Sequence, residues 1–112
     1  MNKLLYGGIK PEGWLRRQLE IQAAGLSGNL DKMWPDVRDS AWLGGDREGW
    51  ERVPYWLDGF IPLAHLLDDE DLLARANRYV HAIVDRQQAD GWIPCTKLAA
   101  LLNAVDGVAR FT

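Results

Sequence analysis

Apolar positions recur mostly at helical spacing along this chain, and glycine-rich or polar connections separate the runs. Lys10-Pro11-Glu12 predicts the start of a first helix, because proline suits the first turn and a glutamate there favours the dipole. That helix runs to Ala24, with Trp14, Leu15, Gln18, Leu19 and Gln22 near one face. Two glutamines in a mainly apolar stripe suit a helix that partly lines a cavity. Gly25 to Asn29 carries the glycine and asparagine signals of a helix end. Asp31 to Glu48, with Pro35, Gly44, Gly45 and several aspartates, reads as one long loop. Loops of that length without structure of their own are uncommon unless functional.

Pro54 predicts the opening of the next helix, which runs to about Leu67. Tyr55, Leu57, Ile61, Leu63, Ala64, Leu66 and Leu67 make it apolar on most sides, so it wants burial on more than one face. Gly59 and Pro62 count against it. Asp68-Asp69 predicts the cap of a third helix, Glu70 to about Gln88. Its apolar set is Leu72, Leu73, Ala76, Tyr79, Val80, Ile83 and Val84, with Arg75, Arg78, Asp85 and Arg86 facing water. Asp90-Gly91 is a turn signal, and a weaker fourth helix is expected from about Cys95 to Val105. No alternating β pattern appears. The expected class is all-α, built of antiparallel helical hairpins with short connections.

Composition narrows the picture. A length of 112 residues allows one domain at most. A net charge of -3 leaves no basic footprint for nucleic acid or for a membrane surface. No apolar run approaches the roughly 20 residues that span a bilayer. Met1-Asn2-Lys3-Leu4-Leu5-Tyr6 is too short in apolar residues for a signal peptide, so a cytoplasmic location is expected. The one cysteine, Cys95, reads as a small buried apolar residue and excludes an intrachain disulfide. His65 and His81 lack metal-ligand spacing, and Gly44-Gly45-Asp46 lacks the following lysine of a phosphate loop. Neither a metal nor a cofactor is expected.

The six tryptophans change the picture most, because a core of this size seldom needs so many. Three of them fall in Trp42–Gly59, WLGGDREGWERVPYWLDG. Aromatic faces beside carboxylates are what a pocket for a ring-shaped polar ligand needs: the rings cover its C–H face and the carboxylates accept its hydroxyl protons. Trp50, Tyr55 and Trp56 are candidate stacking platforms, with Trp42 beside them. Asp46, Glu48, Glu51 and Asp58 are candidate polar contacts, and Glu48 and Glu51 share a face if they lie on one helical turn. Arg47 and Arg52 are expected to pair with Glu48, Glu51 or Asp58. The ordinary reading of the same residues is a tryptophan-rich helix junction with solvated charges.

The runs IKPEGWLRRQLEIQAAGLSGNLD (residues 9–31), WPDVRDSAWLGGDREGWERVPYWLDGFIPLAHLLDDEDLL (34–73) and RANRYVHAIVDRQQADGWI (75–93) resemble the opening of the β-L-arabinofuranosidase-like six-hairpin glycosidases, glycoside hydrolase family 127. The resemblance implies an (α/α)6 barrel, two concentric layers of helices with a sugar pocket at one end. It places the loop between Trp34 and Trp50 over the barrel mouth and the DGW of Asp90–Trp92 at a hairpin turn. A full barrel needs several hundred residues. The family's catalytic glutamate and cysteine-rich zinc site lie in a region that nothing here matches, so no catalytic or metal role is carried onto any residue, Cys95 included. Residues 1–93 are thus expected to form a partial glycosidase-like helical domain. Residues 94–112 form a divergent tail in which Leu98, Leu101, Leu102 and Val105 make a short stripe. Two functions follow. One is a truncated part of a glycoside hydrolase acting on arabinofuranosides or related plant sugars, inactive alone. The other is a stand-alone helical interaction module that uses the tryptophan-rich segment for recognition and oligomerises through exposed apolar helix faces.

Overall fold

The computed structural model describes residues 8–95. The predicted fourth helix and the tail stripe lie outside the described residues. Within them the chain is helical, and the sole β feature described is an isolated bridge between Ser40 and Arg47. Five α-helices follow in order: α1 (Gly13–Ala24), α2 (Leu26–Met33), α3 (Pro35–Arg38), α4 (Arg52–Leu67) and α5 (Glu70–Val84). A short 3-10 turn, Ala41–Leu43, lies between α3 and α4.

The all-α expectation holds, but the region from Gly25 to Glu48 departs from its reading as helix end and long loop. Gly25 ends α1 by donating its N–H to Ile21 and Gln22, and α2 begins at the next residue. Asn29, inside α2, turns its side-chain amide back onto the carbonyls of Ala23 and Ala24, at the end of α1, and of Gly25. Gly28 is buried where a Cβ would collide with the Ala23 carbonyl. The same residues that signal a stop therefore make a tight corner between two helices. Past it, Pro35 at the first position opens α3, and Ser40 caps the 3-10 turn by accepting the Trp42 N–H at 3.2 Å.

Helix α4 begins at Arg52, just before Pro54, and continues through both Gly59 and Pro62. Glycine costs about 1 kcal/mol and proline about 3 kcal/mol inside a helix. Against that, Val53, Trp56, Leu57, Phe60, Leu63, Ala64 and Leu67 are all buried on one side of α4. Full burial of a large apolar side chain contributes roughly 1.5–3 kcal/mol, so packing outweighs the two breakers. Burial is one-sided, contrary to the expectation of several buried faces: Tyr55 stays 74% exposed.

Helix α5 opens as predicted, with Asp69 accepting the Leu72 N–H at 3.0 Å and Glu70 and Asp71 in its first turn. It ends at Val84, one turn short of the predicted Gln88. Trp56 near the start of α4 stacks on Phe60 with centroids 4.3 Å apart and meets Tyr79, late in α5, edge-on at 5.1 Å. Asp68, in left-handed conformation, and Asp69 join the two helices, which consequently run antiparallel.

Two arginines depart from their water-facing expectation. Arg75 is buried, bonded to Asp31 at 2.8 Å and to Asp71 at 3.0 Å, with its guanidinium 5.1 Å from the centre of the Phe60 ring. Its partner Asp31 is also buried, on α2, too far along the chain for helical periodicity to reveal the pair. Arg86 is half-buried and lies over Gly44, where a Cβ would sit 2.6 Å from Nη1.

Helix α1 buries none of its residues. Trp14, Leu15 and Ile21 stay exposed, while Leu19 and Ala23 reach the edge of the core. Val80 and Val84, in the predicted apolar set of α5, are exposed as well.

Candidate functional site

Segment 39–51 folds on itself before α4 begins. The Ala41 N–H donates to the Arg47 carbonyl at 2.7 Å, and the Arg47 N–H donates to the Asp39 carbonyl at 3.0 Å. Gly44 turns the chain with φ +87, and a Cβ on Gly45 would collide with the Asp39 backbone. The two glycines thus make a compact closed loop, where the bare sequence suggests an open one.

Arg47 and Arg52 find a carboxylate outside the set the sequence suggests. Both turn to Asp36 on α3, Arg47 Nε at 2.9 Å and Arg52 Nη1 at 3.3 Å. Arg52 also lies 5.6 Å from the centre of the Trp34 ring. One mostly covered carboxylate therefore ties the loop to the start of α4, and sequence reasoning missed it. Its one local signal is the position of Asp36 in the first turn after Pro35, where the helix dipole favours an acid.

The candidate aromatics separate. Trp56 belongs to the core: it is 8% exposed and its indole N–H donates to the Ser27 carbonyl at 2.9 Å. It cannot offer a face to a ligand there, because its spacing from Leu57, Phe60 and Leu63 puts it on the buried side of α4. Trp42 is half-buried and donates its indole N–H to the Trp50 carbonyl at 2.7 Å. Trp50 and Tyr55 are open to solvent, at 59% and 74%.

The carboxylates separate as well. Glu48 precedes α4 and does not share a helical turn with Glu51. It is half-buried, and its charge bears on Cys95. Burial first, and then the Glu48 carboxylate, push the Cys95 thiol above its ordinary range. Asp46 is exposed on the loop. Glu51, Tyr55 and Asp58 fall at i, i+4 and i+7, all exposed, and line the side of α4 opposite the core. From Glu51 to Asp58 the helical rise is about 10.5 Å. Along this face an exposed aromatic ring, Tyr55, stands between two exposed carboxylates.

The Asp90–Trp92 turn closes as its sequence signals. Asp90 accepts the Trp92 N–H at 3.0 Å, Gly91 has φ +93, and the Gln88 N–H donates to the Trp92 carbonyl at 2.7 Å. It returns the chain to the loop, so that a Cβ on the buried Gly49 would strike the Cys95 carbonyl. His65 is half-buried in α4 and His81 is exposed on α5. Among the described residues no group of three His, Cys, Asp or Glu side chains is placed to hold a metal ion, and no helix is long and apolar enough to cross a membrane. No family model, curated protein or solved structure matches this chain.

Proposed function

We propose that this chain contributes the carbohydrate-facing opening helices of a glycosidase-like α/α barrel, and that alone it binds sugar without cleaving it. The observation that carries the reading is the outer face of α4, where Tyr55 stands exposed between Glu51 and Asp58, with the exposed Trp50 at the entry to the helix. An aromatic ring flanked by carboxylates suits the apolar face and hydroxyl rim of a pentose. Resemblance to the β-L-arabinofuranosidase-like enzymes supplies the sugar class, arabinofuranosides or related plant sugars. In such a barrel, α1 would pack its exposed Trp14, Leu15 and Ile21 against further helices.

Saturation-transfer NMR with methyl β-L-arabinofuranoside tests the reading. The chain should give a sugar signal that the Trp50→Ala/Tyr55→Ala double variant loses while it still melts cooperatively. Nitrophenol release from nitrophenyl β-L-arabinofuranoside should not exceed buffer. No sugar signal from the unmodified chain would overturn the binding half, and measurable nitrophenol the other.

A second reading, an oligomerising helical module, rests on a different observation. Helix α1 buries no residue, and Trp14 is 77% exposed at its start. Apolar faces of that kind mark interaction sites on soluble proteins. Sedimentation at rising concentration should then show a dimer that Trp14→Glu/Ile21→Lys converts to a monomer. A monomer at all concentrations rejects this reading.

A further inference from the structure

We propose that Trp42 is a positioning residue: by clamping the Trp50 carbonyl it holds Trp50 in a left-handed backbone and so presents the Trp50 indole to a sugar ring. The choice of ligand rests on the sugar-binding reading above, whereas the latch itself rests on backbone geometry.

Gly49, Trp50, Glu51 and Arg52 form a turn closed by the Arg52 N–H donating to the Gly49 carbonyl at 3.2 Å. Trp50 has φ +46, and Glu51 follows at φ -100 and ψ 8. A positive φ is one that side-chain-bearing residues rarely adopt and that glycine takes without steric cost. A glycine does stand next door, but Gly49 serves another need. Its missing side chain lets the Trp42 ring approach, since a Cβ there would lie 2.7 Å from Trp42 Cδ1. The left-handed conformation thereby falls on the bulkiest residue available, where Cβ crowds the following carbonyl.

Such strain persists only where the surroundings over-determine it. Here the surroundings are the Trp42 indole N–H, 2.7 Å from the Trp50 carbonyl, and the Ser40 hydroxyl that fixes the Trp42 backbone. Trp50 lies largely in solvent at the entry to α4, five residues before the exposed Tyr55.

Two pairs of variants test the latch. Trp50→Gly and Trp50→Ala both delete the ring, but only alanine must keep a Cβ at positive φ. Trp50→Gly should melt at the higher temperature, the reverse of the usual order of glycine and alanine. Alanine melting level with glycine or above it overturns the latch, whatever the sugar does. Trp42→Phe keeps the ring against Gly49 and removes the N–H, whereas Trp50→Phe keeps a ring on the platform. Titrated with methyl β-L-arabinofuranoside, Trp42→Phe should bind about fivefold more weakly, the size of one net hydrogen bond, and Trp50→Phe should retain most of its affinity. Unchanged affinity in Trp42→Phe overturns the positioning role. A native chain that ignores the sugar while glycine still melts above alanine overturns the sugar reading and leaves the latch standing.

Discussion

Trp50 and Trp56 lie less than two helical turns apart, and the fold treats them in opposite ways. Trp56 sits between Phe60 and Tyr79 with its N–H donated to Ser27 and almost no surface in water. Trp50 rides on a strained turn with most of its ring exposed. The same contrast divides the charges. Asp31 and Arg75 are buried and bonded to each other, whereas Glu51 and Asp58 stand in solvent on the outer side of α4. Helix α4 thus has two unlike faces: one holds the protein together, and the other, exposed, is the face proposed to meet a sugar.

The largest effects should fall on the inner face. Trp56→Ala should cost about 3–5 kcal/mol of unfolding free energy by chemical denaturation, and Trp50→Ala less than about 1 kcal/mol, near the range of surface substitutions. Equal losses would erase the distinction between the faces. Arg75→Ala leaves Asp31 buried without its partner and should also cost about 3–5 kcal/mol. The Arg75→Met/Asp31→Leu pair should recover most of that loss, because it leaves no unpaired buried charge.

A pH dependence belongs to the inner face too. Burial, and after it the Asp31 carboxylate, push the Tyr79 hydroxyl up from 10.0 to about 12. The folded state therefore holds this proton more tightly than the unfolded chain. Its contribution is complete below pH 10 and is lost as the pH rises through about 12. Tyr79→Phe should flatten that alkaline decline, although it forfeits the bond to the Val37 carbonyl at 3.1 Å.

The smallest effect probes the outer loop. Burial, and after it Glu48, push the Cys95 thiol up, so Glu48→Gln should speed alkylation of Cys95 by iodoacetamide near pH 8 with little change in melting temperature. An unchanged rate would remove Glu48 from the surroundings of the thiol.

Legibility in the sequence followed the range of the interactions. Helix α5 was readable because its cap, its acidic first turn and its apolar stripe all lie within a few residues of one another. Helix α4 was readable despite Gly59 and Pro62, since its buried side is densely apolar. The region from Gly25 to Glu48 was not, because its glycines and asparagine act through close approach and back-bonding, as Gly28, Gly45 and Asn29 show. The aromatic segment was legible as a cluster but not in its division. Whether Trp56 or Trp50 faces the core depends on where α4 begins and which side meets α5. The pairings of Asp36 with Arg47 and Arg52, and of Asp31 with Arg75, join separate elements and leave no local periodic trace.

The most direct test of the two-faced α4 is an amide and indole chemical-shift map of the ¹⁵N-labelled chain titrated with methyl β-L-arabinofuranoside. The account predicts shifts at Trp50, Glu51, Tyr55 and Asp58, with the Trp56 indole unmoved. A map with no shifts on the outer face, or with shifts centred on Trp56 and Tyr79, would contradict it.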